Sequence, residues 1–303
     1  MQLDLRTPEH RAPADEADEA NEANQKGANG KQANQAHESG ALLVPSPATP
    51  ASSDNAPTIG SHIGSHIGTR IGARVRALAW PTIEDSLNRE GYAVASGLLT
   101  PDECRALAQG YGESAQFRSR VVMARHGFGR GQYQYYAYPL PALIAQLRAA
   151  LYVPLARIAN RWNEALGEAA HYPKQHADYL AQCHSAGQLR PTPLLLQYAE
   201  GDYNCLHQDL YGEHVFPLQA AFLLSVPGED FGGGEFVLTE QRPRMQSRAA
   251  VVPLAQGDAV IFPVHHRPVQ GTRGLYRVNM RHGVSKLTRG QRHTLGVIFH
   301  DAT

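Results

Sequence analysis

Cysteine is scarce: Cys104, Cys183 and Cys205 are the only three in 303 residues. So sparse and odd a set excludes a disulfide framework and a cysteine-rich zinc site. It is what a chain in a reducing cytoplasm is expected to carry. Long hydrophobic runs are missing as well. The longest apolar stretches, such as Ala220 to Val226, are too short to cross a bilayer, so no membrane partner is expected. Residues Met1 to Asp18 lack the apolar core of a secretory signal. Lysine is nearly absent: 24 of the 28 basic residues are Arg, whose planar fork suits carboxylates and phosphates. Net charge is also absent, with 28 bases against 28 acids.

That zero conceals an asymmetry. Residues 1–58 carry −5 and the remainder +5, and residues 241–300 hold ten bases against one acid, Asp258. Neutrality therefore does not exclude an anionic substrate. The acidic segment is rich in Ala, Asn, Glu, Ser and Pro and offers little large apolar surface, so it is expected to be disordered. A four-residue repeat follows, from Ile59-Gly-Ser-His62 to Ile71-Gly-Ala-Arg74. Its regular glycines weaken a helix, so residues 1–74 read as tail and linker, with His62 and His66 weak metal candidates.

The remaining residues, 75–303, split by periodicity. Val75 to Arg89 has helical spacing, as does Pro141 to Leu166, which Pro154 should kink or divide. Thr100 before Pro101-Asp-Glu103 is an N-cap signal, and Pro173 to Cys183 reads as a further short helix. From residue 191 the pattern becomes short β-rich runs broken by Gly and Pro: 194–198, 219–226, 234–238, 249–253, 259–262, 275–284 and 293–299. The expected class is α+β, mainly β: helical support over 75–190, then a jelly-roll-like β core over 191–303.

The chemistry concentrates in Gln197-Tyr198-Ala-Glu-Gly201-Asp-Tyr-Asn-Cys-Leu206-His207-Gln208-Asp209. On extended chain His207 and Asp209 project to one face, as two ligands of one metal would. A second histidine is needed, and Gly257-Asp258 followed by the apolar run Ala259–Phe262 leads to His265-His266. Two His and one carboxylate hold one face of an octahedral ion and leave three positions open, the pattern of non-haem Fe(II) oxygenases. His266 is read as the distal ligand, with His265 as its competitor. Arg277, eleven residues on, shares a strand face with Asn279 and Arg281, and Tyr198 could add a hydroxyl; together they could clamp an oxo-acid carboxylate. Arg273 competes with Arg277 for that role. Upstream, Arg118, Arg120, Arg125 and Arg130 are interleaved with His126, Phe128, Tyr133 and Tyr135 and no acid, a composition suited to phosphates and stacked bases. The spacing of Gly127, Gly129 and Gly131 suggests a mobile lid there.

These residues resemble the Fe(II)/2-oxoglutarate-dependent dioxygenase superfamily: His207-x-Asp209, Gly257-Asp258 before an apolar strand, a distal His, then Arg. Tyr198-Ala-x-Gly201 and Arg277-x-Asn279 are similar to AlkB-type enzymes, and the segment from about Val75 looks like a bacterial group described as oxygenases acting on damaged DNA. The resemblance implies a double-stranded β-helix (jelly roll, cupin-like). It implies Fe(II) as cofactor, 2-oxoglutarate and O2 as co-substrates, and oxidative demethylation of alkylated bases in DNA or RNA. His265-His266-Arg-Pro-Val with Gly271-Thr-Arg273 is also similar to prolyl-hydroxylase-like members, which implies the alternative of a protein side-chain or small-molecule hydroxylase.

Overall fold

A computed structural model describes residues 70–272 and 274–303. The acidic segment, the repeat through Thr69 (with His62 and His66) and Arg273 lie outside the described residues.

Residues 70–77 are helical, and the helix expected from Val75 to Arg89 divides there: a break at residues 78–79 precedes α1, Trp80–Glu90. Pro81 sits in the first turn of α1, where its missing N–H costs nothing. A three-residue strand, β1 (Ala93–Ala95), leads to α2, Pro101–Gln109. Thr100 caps α2 as expected: its side chain accepts from the Glu103 N–H while the Glu103 carboxylate accepts from the Thr100 N–H. Arg74 ties the first helix to this cap through Glu103 at 2.6 Å.

Strands β2 (Phe117–Val122), β3 (Gly129–Arg130) and β4 (Gln132–Tyr136) follow, then the long α3 (Ala142–Leu166) and α4 (His176–Ser185). Pro154 does not divide α3, which runs on as one 25-residue helix. Its length and composition would suffice to cross a membrane. Leu147, Leu151, Leu155 and Trp162, however, bury that apolar stripe in the same core as Leu195, Phe222, Leu295 and Val297. Arg148, on the same helix, is also buried and holds the chain end: it pairs with Asp301 at 2.7 Å and donates to the Ile298 carbonyl at 2.8 Å.

The β core comprises β5 (Leu194–Ala199), β6 (Tyr203–His207), β7 (Leu218–Leu223), β8 (Phe231–Gly233), β9 (Phe236–Gln241), β10 (Arg248–Val252), β11 (Ala259–Pro263), β12 (His266–Gly271), β13 (Gly274–Val284) and β14 (Leu287–Val297). One sheet runs β1-β11-β7-β14-β5-β4-β2 with β8 on β14. The other runs β10-β9-β13-β6-β3 with β12 on β13. Every named pairing is antiparallel, as the jelly-roll expectation requires. The helices cover the outer face of the first sheet. Phe236, Leu238, Val260 and Phe262 form a separate core cluster, beside which the chemistry collects.

Candidate active site

β6 delivers His207 through an irregularity. His282 of β13 pairs with His207 and Val284 with Asn204, so three steps on β6 answer two on β13. This bulge reverses the alternation and turns His207 to the same face as His282, the usual work of a bulge beside a site. Asp209 lies two residues past the strand. The donor atoms of His207, Asp209 and His282 all lie within 4.8 Å of one another. His207 Nε2 is 3.5 Å from Asp209 Oδ1, and His282 Nε2 is 3.4 Å from Oδ2.

The second histidine of the cluster is therefore His282, not His266. His266 is opposite Asn279 on β12, three residues along β13 from His282, about 10 Å away on a strand. The signal lay in β13 itself. Val278, Met280, His282 and Val284 are the buried, mostly apolar parity, while Arg277, Asn279 and Arg281 take the other. Arg277, Asn279 and Arg281 thus sit on the opposite face of β13 from His282, which removes them as a clamp for anything bound at the cluster. Arg277 is half-exposed and pairs with Glu168 just past α3. His265 and His266 lie against each other with rings 3.4 Å apart.

The protonation pattern suits a cation. His207 Nδ1 lies 2.8 Å from the Cys205 carbonyl, which can only accept, so Nδ1 carries the proton and Nε2 keeps its lone pair. Burial and the neighbouring His282 push the His207 pKa down. Burial alone would raise the Asp209 carboxyl, but His207, His282 and the Tyr211 hydroxyl outweigh it and hold it below the carboxylate range. Tyr211 donates to Asp209 Oδ1 at 2.8 Å, and the Tyr135 hydroxyl stands 3.2 Å behind it. His282 is held by rings, with Phe262 at 4.7 Å and Phe236 at 6.0 Å, and its Nδ1 has no partner. Two imidazoles and one carboxylate fit Fe(II), with sites left for 2-oxoglutarate and O2.

A cation the sequence reading passed over lies on the first sheet. Arg292 of β14 is opposite Tyr198 of β5, and both are almost wholly buried. Its guanidinium sits 5.7 Å from the rings of Tyr198 and Phe231 and donates to Thr294 Oγ1 at 2.6 Å, but Nε has no partner. The Tyr198 hydroxyl, beside Asn204, makes no hydrogen bond of good geometry either. Burial lowers the Arg292 pKa to about 10. Tyr133, Tyr135, Tyr198 and Tyr211 all feel the Asp209 charge, so these rings wall the same space. A buried guanidinium and a phenol on the sheet that does not carry His207 and His282 are thus left short of partners.

The other expected contacts divide. Arg118 packs over the Tyr135 ring at 4.4 Å and donates to the Pro191 carbonyl, and Arg120 donates to Gln132, so both are spent within the protein. Arg125 and Arg130 are exposed. Two of the nearby glycines have a packing reason. Gly129 and Gly131 have φ of +118° and +119°, and a Cβ there would lie 2.5 Å from the Tyr203 carbonyl oxygen and 2.8 Å from the Tyr198 ring. They allow the hairpin to press onto β5 and β6.

Two antiparallel sheets around a two-histidine, one-carboxylate group define an oxygenase of the non-haem iron type. Residues 131–302 match the sequence model of a family described as "oxygenase, catalysing oxidative methylation of damaged DNA", and the chain belongs to that family. Two uncharacterized proteins of Mycobacterium tuberculosis, MT2286 and Rv2227, are each 49% identical over 164 residues, covering 54% of this chain and 70% of theirs. Among solved structures, a Pseudomonas putida prolyl-4-hydroxylase is 17% identical (72% of this chain, 96% of that one, TM-score 0.43). A Trichoplax adhaerens prolyl hydroxylase in complex with a hypoxia inducible factor peptide is 14% identical (75% and 90%, TM-score 0.46).

Proposed function

We propose that this protein is a 2-oxoglutarate-dependent oxygenase that removes alkyl groups from nucleic acid bases. The observation that carries the reaction type is the pairing of the His207–Asp209–His282 group with the underpaired Arg292 and Tyr198 on the facing sheet. In this reading His207, Asp209 and His282 hold Fe(II), which supplies dioxygen activation coupled to decarboxylation of 2-oxoglutarate. Arg292 receives the distal carboxylate of 2-oxoglutarate through its free N–H, and the Tyr198 hydroxyl donates beside it. Tyr211 keeps its proton, since burial and the Asp209 charge raise its pKa well above the usual phenol value, and so remains a donor that orients Asp209. Phe236, Phe262 and the tyrosine wall keep water from the reacting C–H bond.

The nucleic acid substrate rests on the family's description, which names damaged DNA; removal of an alkyl group from a base follows from oxidation of its C–H bond. Oxygen insertion into an N-methyl C–H bond gives a hydroxymethyl group that leaves as formaldehyde. The pattern behind the side-chain hydroxylase reading placed its distal histidine at His265-His266 and its clamp at Arg273; neither histidine is in the cluster, and Arg273 lies outside the described residues. The test is formaldehyde release from methylated single-stranded DNA with Fe(II) and 2-oxoglutarate. Turnover of 2-oxoglutarate without formaldehyde from any methylated oligonucleotide would sink the substrate and leave the reaction type standing.

A further inference from the structure

The outer face of the β3–β6 edge carries a group of side chains that the site does not use. Arg130 is the cross-strand partner of Tyr203, so the two share a face, and Phe128 lies in the bend that leads into β3. Phe128 and Tyr203 are 38% and 37% exposed, unusual for large rings on a strand edge. The His126 ring stacks on Phe128 at 5.3 Å and 22°. Arg125 is exposed, and Arg130 is 62% exposed with its nearest carboxylate, Asp202, 3.9 Å away. The platform is rigid, because Gly129 and Gly131 fasten it against Tyr203 and Tyr198, and the Cys205 N–H donates to the Phe128 carbonyl at 2.9 Å. It is also near the chemistry: Tyr203 and His207 are the two ends of β6, about 13 Å apart on extended chain.

We infer that this face seats the unpaired nucleotides flanking the reacting base, so that the preferred substrate is single-stranded nucleic acid. Flat exposed rings take base faces without regard to sequence, and guanidinium groups between them meet phosphates. A second copy of this face would oppose like charges, whereas a nucleic acid strand brings both a ring face and a phosphate at every step. This inference rests on the nucleic acid reading above.

The experiment measures fluorescence anisotropy of a labelled single-stranded oligonucleotide carrying one N-methylated base, against its duplex, with full-length protein at several salt concentrations. Wild type should favour the single strand. Phe128→Ser and Tyr203→Ser should each weaken it roughly tenfold, and Arg130→Glu should lower the salt slope by about one counterion. The thermal midpoint of each variant is measured alongside and should hold, since all three side chains are exposed. If wild type binds and all three variants bind equally well, the platform is wrong while the nucleic acid reading survives. If wild type binds neither strand form, both fail together.

Discussion

Replacing Arg292 with Met should make this protein more stable and remove its co-substrate. Without a bound anion the guanidinium is 2% exposed, has one side-chain acceptor, Thr294, and leaves Nε unpaired. A buried donor without a partner costs about 1 to 3 kcal/mol, and the two rings at 5.7 Å return roughly 1 kcal/mol of that. Met keeps the apolar stem and removes the charge, so the net gain is about 0 to 2 kcal/mol, or up to roughly 8 °C in thermal midpoint for a unit of this size. The same change deletes a charge-assisted pair to the distal carboxylate, a loss of about 2 to 5 kcal/mol, or roughly 30- to 5,000-fold in Kd. The assays are differential scanning calorimetry and anaerobic titration of 2-oxoglutarate into the Fe(II)-loaded protein. A variant that melts lower and binds 2-oxoglutarate as well as wild type would refute the assignment of Arg292.

Two further outcomes follow from the site and the core. His282→Ala should abolish tight binding of Fe(II) or Co(II), read from the Co(II) absorption spectrum, whereas His266→Ala should change it less than threefold; the reverse result would return His266 to the site. Burial and the nearby Arg148 lower the His176 pKa to about 4, below the 6.5 of the unfolded chain. The unfolded state therefore takes the proton first, and stability present above pH 6.5 is lost as pH falls towards 4, by on the order of 2 kcal/mol at pH 5. In chemical denaturation His176→Phe should flatten that slope, and an unchanged slope would show that His176 is not its source.

Much of the fold was legible because its signals are local. Thr100 with Glu103 announces a helix start in four residues, and the α3 stripe repeats every three or four. The strands of the β core were found within a few residues wherever apolar alternation was clean. Those missed were short or polar: β3 has two residues, β12 is His266-Arg-Pro-Val-Gln-Gly271, and β6 is exposed along most of its length.

The site was read in part. His207 and Asp209 stood out by spacing, and Tyr198 by its place before them. The choice of His266 followed distance along the chain to Arg277, and chain distance has no bearing on which face of a strand a side chain takes. The parity of β13 did bear on it: with Val278, Met280 and Val284 inward, His282 had to be inward and Arg277 outward.

Local order, then, settled the class of donor groups, most of the strands after residue 191, and the surplus of arginine outside the acidic segment. Those depend on neighbours within a few residues, where sterics and periodicity act. That β1 to β4, within the segment expected to be helical support, join the two sheets was not legible. Which histidine meets Asp209, and which arginine is buried without a partner, depended on strand pairing across the molecule. The bulge before His207 and the Arg292–Tyr198 register join residues 75 and 94 positions apart. Pairing between strands so far apart in the chain is decided by packing of the whole β core, which local periodicity does not encode.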